Sequence, residues 1–329
     1  MRLALVTGAT GCIGQALVRR LLQNGVRVRV LVRDVNAARG LFHGHPGLDL
    51  VRGDLFDSSC LLQAVEGIDT IFHAAGKAHM RPQTDSEMQD LLAVNVEGTA
   101  SLLDVCSATS LRAFVFFSTI AVNGAEPAPF CESTPAAPIT PYAQSKHAAE
   151  QLVQQRFCGT DTASIILRLS MVFGEGDRGN FIRMVRAIHR ERFLLIGNAS
   201  KSLAYSENVG DVAIAAAEAI GVPGRTFVVA DPESRTLDQL ASCIANTLGV
   251  RVPRLRIPVW TIRACAVLLD RLSDLSGFRM PLCSGDIQAL THETVCDISE
   301  LQRSLDLRQR FSVSEGIERT VKWYRSQLK

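Results

Sequence analysis

A glycine-rich turn between an apolar strand and a helix constrains this chain more than any other feature. Residues 3–6 form a short apolar run that predicts a buried strand, and residues 15–24 alternate apolar and polar side chains at helical spacing. Between them Gly8, Gly11 and Gly14 follow the spacing G-x-x-G-x-x-G. Such a turn lets a dinucleotide pyrophosphate approach the helix N–H groups and dipole. Tight turns also select glycine for steric reasons, so this segment alone leaves both interpretations open.

Strands and helices alternate through the first half of the chain. Further strands are predicted at residues 26–32, 48–52, 70–72, 113–117 and 164–167. The intervening segments are long enough for crossover helices, so we expect an α/β fold with a doubly wound parallel (Rossmann) sheet. Beyond about Val172 glycine and proline become frequent. We therefore predict a dinucleotide-binding domain at 1–171 and a smaller C-terminal substrate lobe at 172–329, interleaved with the end of the sheet.

A tyrosine and a lysine are spaced four residues apart at the start of a predicted helix. Tyr142 and Lys146 would lie on one helical face and point at one ligand. A nearby ammonium favours the phenolate and would lower the tyrosine pKa from about 10, making Tyr142 a plausible acid or base. A solvated surface pair has the same spacing, so the motif taken alone indicates either arrangement.

Together with further segments, these two motifs resemble the extended short-chain dehydrogenase/reductases of the NAD-dependent epimerase/dehydratase type. The additional matches are Gly53-Asp54-Leu55, His73-Ala74-Ala75-Gly76, the stretch 94–99 (VNVEGT), Phe117-Ser118-Thr119 and Val122-Asn123-Gly124. The resemblance implies that the Thr119 hydroxyl holds the substrate oxygen, a role that Ser118 could share. It also implies that Tyr142 passes a proton and that Lys146 binds the nicotinamide ribose. The cofactor contacts that it implies are Thr7, Gly8, Gly11, Cys12, Ile13, Gly14, Asp54, Leu55, Ala74, Ala75, Gly76, Asn95, Tyr142 and Lys146. Asn123 and Leu169 depart from the family pattern near the expected sugar pocket.

The end of the second predicted strand bears on the choice of cofactor. An acidic residue there would bind the adenosine ribose and favour NAD. By family resemblance the position is Val32, followed by Arg33, and a guanidinium pairs well with a 2′-phosphate. We expect NADP(H), with NAD as the alternative.

The downstream loops resemble those of bacterial polysaccharide-pathway enzymes that act at C4 of a UDP- or polyprenyl-diphosphate-linked sugar. The residues expected to bind substrate are Lys77, Thr119, Arg178, Asn180, Lys201 and Tyr205. The first expectation is a 4-keto-sugar reductase using NADP(H) on a UDP-type sugar. Alternatives are an NAD-dependent sugar 4-epimerase, a hydroxysteroid- or flavonoid-type reductase, and a non-catalytic cofactor-binding regulator.

Composition narrows the partners. The chain has 329 residues, 35 basic and 33 acidic, for a net charge of +2, which does not indicate nucleic-acid binding. Nine scattered cysteines without metal-ligand spacing indicate reduced thiols, no metal site and a cytoplasmic protein. Residues 258–272 form the most apolar run, but charged residues interrupt it, so we expect a packed amphipathic helix and no membrane span. The predicted strand directly after Met1 indicates no signal peptide, and a homodimer is compatible with the sequence.

Overall fold

The computed structural model describes residues 1–78, 82, 84–106, 109–124, 126–219, 224–261 and 291–328. Its centre is a seven-stranded sheet in which every neighbouring pair is parallel. The sheet strands are β1 (Leu3–Thr7), β2 (Arg27–Val32), β3 (Leu48–Arg52), β4 (Thr70–His73), β5 (Ala113–Thr119), β6 (Ala163–Leu169) and β11 (Arg225–Val229). Their spatial order is β11-β6-β5-β4-β1-β2-β3. This confirms the predicted doubly wound α/β fold.

The helices cover both faces of the sheet and build the smaller lobe. They are α1 (Cys12–Gln23), α2 (Val35–Phe42), α3 (Ser58–Val65), α4 (Asp85–Leu92), α5 (Gly98–Val105), α6 (Pro141–Phe157), α7 (Asn180–His189), α8 (Ser206–Glu218), α9 (Leu237–Leu248), α10 (Ser299–Leu305) and α11 (Val313–Ser326). A π-helical turn, Ala93–Glu97, joins α4 to α5, and a 3₁₀ turn, Ile120–Asn123, follows β5.

Consecutive strand residues divide between two hydrophobic cores because side chains alternate across a sheet. Val115 and Phe117 of β5 face the core that includes α1 and α8. Phe114 and Phe116 face the opposite core, which includes α3, α5 and α6. The alternation fixes which β5 side chains can reach α6.

A third core forms the smaller lobe. It contains side chains of α7, α9 and α11 together with Phe173 and Tyr205, which are almost fully buried. Short strands complete the lobe in three pairs, β7 (Met171–Phe173) with β10 (Leu203–Tyr205), β8 (Leu195–Ile196) with β13 (Arg256–Ile257), and β9 (Ser200–Lys201) with β12 (Arg235–Thr236). Since β11 also comes from this half of the chain, the segment beyond residue 172 contributes to both the sheet and the lobe.

Most of the apolar run 258–272 lies outside the described residues, so the predicted amphipathic helix there stays a prediction. Among the residues that are described, no helix has both the length and the apolar character needed to cross a bilayer. Within the same residues, Cys12, Cys60, Cys106, Cys131, Cys158, Cys243 and Cys296 are free thiols.

The packing of α11 on the smaller lobe can be tested at a helical glycine. A Cβ at Gly316 would lie 2.8 Å from the Tyr205 ring and 3.1 Å from that of Phe173. We expect Gly316→Ala to lower the free energy of unfolding by about 1–3 kcal/mol through overpacking, as measured by urea denaturation. The matched control is Gly40→Ala in α2, where a Cβ would meet no atom within 4 Å. This substitution should raise the free energy of unfolding by up to about 1 kcal/mol. Equal effects of the two substitutions would contradict the packing.

Candidate active site

The turn between β1 and α1 leaves space only for glycine at two positions. Gly8 has a φ of +69°, and a Cβ there would lie 2.6 Å from the carbonyl group of Ala74 after β4. A Cβ at Gly14 would lie 2.2 Å from the Gly8 carbonyl oxygen. Gly11 is the N-cap of α1, and no side chain caps the first-turn N–H groups. The backbone cradle therefore fits the pyrophosphate of a dinucleotide, which these N–H groups would hold.

The neighbouring side chains of the turn are directed elsewhere. The Cys12 thiol lies near Ser206 at the start of α8, and Ile13 packs against the hydrophobic core. Burial raises the pKa of the Cys12 thiol, so it carries no charge at neutral pH. At both positions the backbone belongs to the first turn of α1, which would face a cofactor.

A buried histidine joins the turns after β1 and β4. His73 Nδ1 lies 2.7 Å from Thr7 Oγ1, and His73 Nε2 lies 3.0 Å from Thr99 Oγ1. Thr99 donates to the Asn95 carbonyl, and Thr7 accepts from the Ala75 N–H. These contacts assign the proton to Nε2. Burial, with a smaller contribution from Lys146, lowers the pKa of His73 to about 3, so the ring is neutral. The sequence motif contained His73, but its spacing did not reveal this role.

Asn95, on the π-helical turn, connects the turn after β4 to α6. Its Oδ1 accepts from the Lys77 N–H at 2.7 Å, and its Nδ2 donates to Ser145 Oγ at 2.9 Å. Ser145 in turn donates to the Tyr142 carbonyl oxygen. Asn95 is almost fully buried, so the predicted cofactor residue acts here on the backbone around the site.

Tyr142, Lys146 and Thr119 meet at the carboxyl end of β5. Thr140 caps α6 by accepting from the Ala143 N–H, and Pro141 occupies the first helical turn. The Tyr142 hydroxyl lies near the Thr119 side chain. The Lys146 ammonium lies 3.9 Å from the centre of the Phe116 ring, and a Cβ at Gly76 would be 4.0 Å from its Nζ. The structure thus brings the predicted tyrosine, lysine and threonine together beside the turn after β4.

The pKa values in this cluster follow burial. Burial lowers the pKa of Lys146 to about 7, while Glu150 acts in the opposite direction. Burial raises the pKa of Tyr142 to about 12, and the nearby Thr119 side chain offsets only part of that shift. The expectation that Lys146 depresses the Tyr142 pKa is therefore wrong for this structure. Loss of hydration is the largest influence on the Tyr142 pKa, and Lys146 is itself only partly charged at neutral pH.

The Ser118 hydroxyl has a different neighbour from the Thr119 hydroxyl. The two residues are adjacent on β5, so their side chains leave the strand in opposite directions. Ser118 Oγ donates to Glu150 Oε1 at 2.5 Å, and Glu150 also accepts from Arg168 Nη2 at 2.8 Å and Nε at 3.1 Å. The Ser118 hydroxyl therefore hydrogen-bonds a buried ion pair that joins α6 to β6.

The predicted adenosine end of the cofactor site lies at the tips of β2 and β3. Arg33 is exposed directly after β2, and the carboxylate of Asp34 caps α2 by accepting from the Ala37 N–H at 3.0 Å. Asp54 is exposed, and its Oδ1 accepts from the Phe56 N–H. Leu55 is buried against Gly98. Asp34, the acidic residue next to Arg33 in sequence, therefore caps the N-terminus of α2.

Three of the predicted substrate residues form contacts within the protein. Tyr205 is fully buried in the lobe core, and its hydroxyl donates to Glu175 at 2.8 Å. The Lys201 ammonium donates to the His292 carbonyl oxygen, and burial lowers the pKa of this lysine to about 8. Lys77 forms a 2.8 Å ion pair with Asp90. Direct substrate contact by Lys77, Lys201 and Tyr205 stays a prediction, and in this structure each of the three side chains has a partner within the protein.

Arg178 and Asn180 are exposed at the start of α7. The preceding loop packs on the start of α1, because a Cβ at Gly174 would be 3.4 Å from Cys12 Sγ and one at Gly176 would be 2.8 Å from Gln15 Nε2. Asp177 holds the loop by accepting from the Gly179 and Ile182 N–H groups. The two polar side chains therefore follow a loop anchored at the glycine turn. Across the described residues, no cluster of three or more His, Cys, Asp or Glu side chains could hold a metal ion.

The charge of Glu150 can be tested through Lys146. Glu150→Gln keeps the shape of the side chain but removes the group that raises the Lys146 pKa, so that pKa should fall below about 7. The measurement is an NMR titration of ¹³C-labelled lysine. Breaking the buried pair should also cost about 3–5 kcal/mol of unfolding free energy. Glu150→Gln/Arg168→Gln should recover stability but not the pKa, and an unchanged pKa in both variants would refute the coupling.

Comparison with known proteins identifies the family. Residues 4–230 match the NAD dependent epimerase/dehydratase family. The 3 beta-hydroxysteroid dehydrogenase/Delta 5→4-isomerase of Mycobacterium tuberculosis (strain H37Rv) is 28% identical, over 97% of this chain and 90% of that protein. The N-acetyl-alpha-D-glucosaminyl-diphospho-ditrans,octacis-undecaprenol 4-epimerase of Escherichia coli O157:H7 is 24% identical, over 97% and 94% respectively.

The fold has close structural neighbours. The crystal structure of UDP-glucuronic acid 4-epimerase from Bacillus cereus, in complex with UDP-glucuronic acid and NAD, has a TM-score of 0.81 at 20% identity, covering 99% of this chain and 100% of that chain. The family match spans well over half of this chain and includes the glycine turn and the Thr119, Tyr142 and Lys146 cluster. The chain therefore belongs to the NAD dependent epimerase/dehydratase family and is an NAD(P)-dependent enzyme of the short-chain dehydrogenase/reductase type.

Proposed function

We propose that this protein is an NADP(H)-dependent reductase that transfers a hydride to C4 of a UDP-linked 4-keto sugar. The observation that carries the proposal is the meeting of Thr119, Tyr142 and Lys146 at the carboxyl end of β5, beside the glycine cradle. In a doubly wound sheet this edge is where ligands bind.

The protein's own groups suit the reduction of a carbonyl. A bound nicotinamide cofactor supplies the hydride. The Thr119 hydroxyl would hold the carbonyl oxygen of the substrate, and the neighbouring Tyr142 hydroxyl would donate the proton that the oxygen needs. A tyrosine whose pKa is raised to about 12 keeps this proton at neutral pH and is therefore in the form that can donate it to a developing alkoxide. Lys146, placed next to Gly76, would bind the cofactor ribose.

Two observations support a diphosphate-linked sugar as substrate. Arg178 and Asn180 are exposed after the loop that packs on the start of α1, so both can face the crevice above the sheet. A guanidinium and an amide match a diphosphate and a sugar hydroxyl or N-acetyl group. Relatives and structural neighbours are named as enzymes of UDP- or undecaprenyl-diphosphate-linked sugars. A sugar 4-epimerase would use the same three residues, so the assay below must separate it.

A second candidate is a reductase of an apolar ketone of the hydroxysteroid type. The Mycobacterium tuberculosis relative carries that name. The commitment of Tyr205, Lys201 and Lys77 to contacts within the fold also removes three polar groups from the expected sugar site.

The function is tested by incubating the purified protein with NADPH and either a UDP-4-keto sugar, a UDP-hexosamine or a 3-ketosteroid. We expect NADPH to be oxidised in proportion to product with the UDP-4-keto sugar. Tyr142→Phe should fold and bind NADPH but lose activity by about 10²–10⁴-fold, because one positioned proton donor is removed.

The other outcomes assign the alternatives. Conversion of the UDP-hexosamine without net NADPH oxidation would identify a 4-epimerase. Turnover of the ketosteroid alone would identify the second candidate. Cofactor binding with no turnover of any substrate would indicate a regulator, and full activity of Tyr142→Phe would refute the mechanism.

Cofactor preference rests on Arg33. Its guanidinium is exposed at the tip of β2, while the Asp34 carboxylate caps α2. We expect Arg33→Ala to weaken NADPH binding by roughly ten- to a hundredfold and NADH binding far less, as measured by calorimetry. Arg27→Ala, an exposed arginine at the opposite end of β2, is the matched control. Equal effects on both cofactors would favour NAD.

A further inference from the structure

One edge of the smaller lobe is built from two segments that run side by side. β8 and β13 are parallel, with Leu195 opposite Arg256, and the Leu195 N–H donates to the Leu255 carbonyl oxygen at 3.0 Å. Because the strands are parallel, the residues that precede them, 190–194 and 251–255, lie at the same end of the pair. We call these two segments together with Trp260 the basic apolar edge.

The basic apolar edge concentrates positive charge. Arg190 and Arg192 are exposed in the first segment, and Arg251 and Arg254 are exposed in the second. Glu191 is the acidic residue within these two segments. The next arginine, Arg256, forms an ion pair with Asp238. The net charge of the edge is positive in a protein whose total charge is only +2.

The basic apolar edge also exposes large apolar side chains. Leu194 is 41% exposed, Leu255 is 65% exposed and Trp260 is 72% exposed. β13 is two residues long, about 7 Å at 3.3 Å per residue, so Trp260 follows at the far end of the same short strand pair. Tryptophan and leucine exposed beside arginine are typical of residues at a membrane–water interface.

We propose that the basic apolar edge binds the surface of an anionic phospholipid bilayer. Leu194, Leu255 and Trp260 would enter the headgroup region, while the arginine side chains extend along the interface and pair with lipid phosphates. The binding is peripheral, and it places the protein at a membrane surface. The proposal does not depend on the substrate assigned above.

Charge and shape favour a bilayer over other occupants. A second copy of this chain would bring the same arginines together across a two-fold axis, where like charges repel. A nucleic acid would satisfy the arginines but would leave the two leucines without an apolar partner. An anionic lipid surface supplies phosphate groups and apolar depth at once.

Vesicle sedimentation tests the electrostatic part. The full-length protein should bind vesicles of phosphatidylcholine mixed with phosphatidylglycerol, and bind pure phosphatidylcholine vesicles much more weakly. Arg192→Gln/Arg254→Gln should lower the partition coefficient by roughly fivefold for each arginine. The matched control, Arg27→Gln/Arg39→Gln, removes two exposed arginines of the sheet domain and should change binding little.

Fluorescence tests the insertion of the tryptophan. The chain has two tryptophans, Trp260 and the partly buried Trp323. In Trp323→Phe the emission should shift to the blue on mixing with anionic vesicles and should be quenched by brominated lipids. In Trp260→Phe neither the blue shift nor the quenching should occur. This variant should still bind the vesicles, but with lower affinity.

Three results would overturn the proposal. The first is no sedimentation with anionic vesicles at low salt, and the second is an equal loss of binding in the control variant. The third is the absence of bromolipid quenching of Trp260. Self-association that Trp260→Ser abolishes would assign the edge to a second copy. Binding of a polyanion that Trp260→Ser leaves unchanged would assign it to nucleic acid.

Discussion

The close approach of the turn after β1 to the turn after β4 is the contact on which the candidate site depends. Gly8 lies against the Ala74 carbonyl with no space for a side chain. A buried chain of hydrogen bonds then runs from the Ala75 N–H through Thr7, His73 and Thr99 to the Asn95 carbonyl. The Asn95 side chain continues through Ser145 to the backbone of Tyr142. The cofactor turn and the proton donor are thus positioned by one connected network, whose buried members would be costly to leave unpaired.

Burial sets the protonation states at the site. His73 is neutral because its pKa is lowered to about 3, and Tyr142 keeps its proton because its pKa is raised to about 12. The pKa of Lys146 is lowered to about 7, so its protonation state at neutral pH is sensitive to any added charge. The Glu150–Arg168 pair lies beneath it and tethers α6 to β6. A negative phosphate or developing alkoxide entering this weakly hydrated site would therefore favour the charged form of Lys146.

Local patterns predicted six of the seven sheet strands but not β11, and the family resemblance, not the local motifs, pointed to Thr119, Tyr142 and Lys146. The strand at 48–52 has the predicted bounds, and the others differ by a few residues at their ends, because apolar runs and crossover lengths constrain a parallel sheet strongly. The choice between Ser118 and Thr119 required the phase of β5, since only the pleat shows which hydroxyl faces Glu150. Tyr205 and Lys201 could not be assigned from sequence. Their partners, Glu175 and His292, are 30 and 91 residues away and become neighbours only through tertiary packing.

The burial of Tyr205 explains how the smaller lobe is fixed relative to the glycine turn. Its hydroxyl holds Glu175, and Glu175 lies between the two glycines that pack on Cys12 and Gln15 of α1. Arg319 of α11 reaches Glu175 and Glu207, and Arg310 connects Glu207 to Asp211, which also pairs with Arg20 of α1. Each partly exposed pair contributes little alone, but the series links α1, α8 and α11. The loop that ends at Arg178 and Asn180 is therefore held from both lobes. A substrate contact placed on such a loop keeps its distance to Tyr142 without depending on loop flexibility.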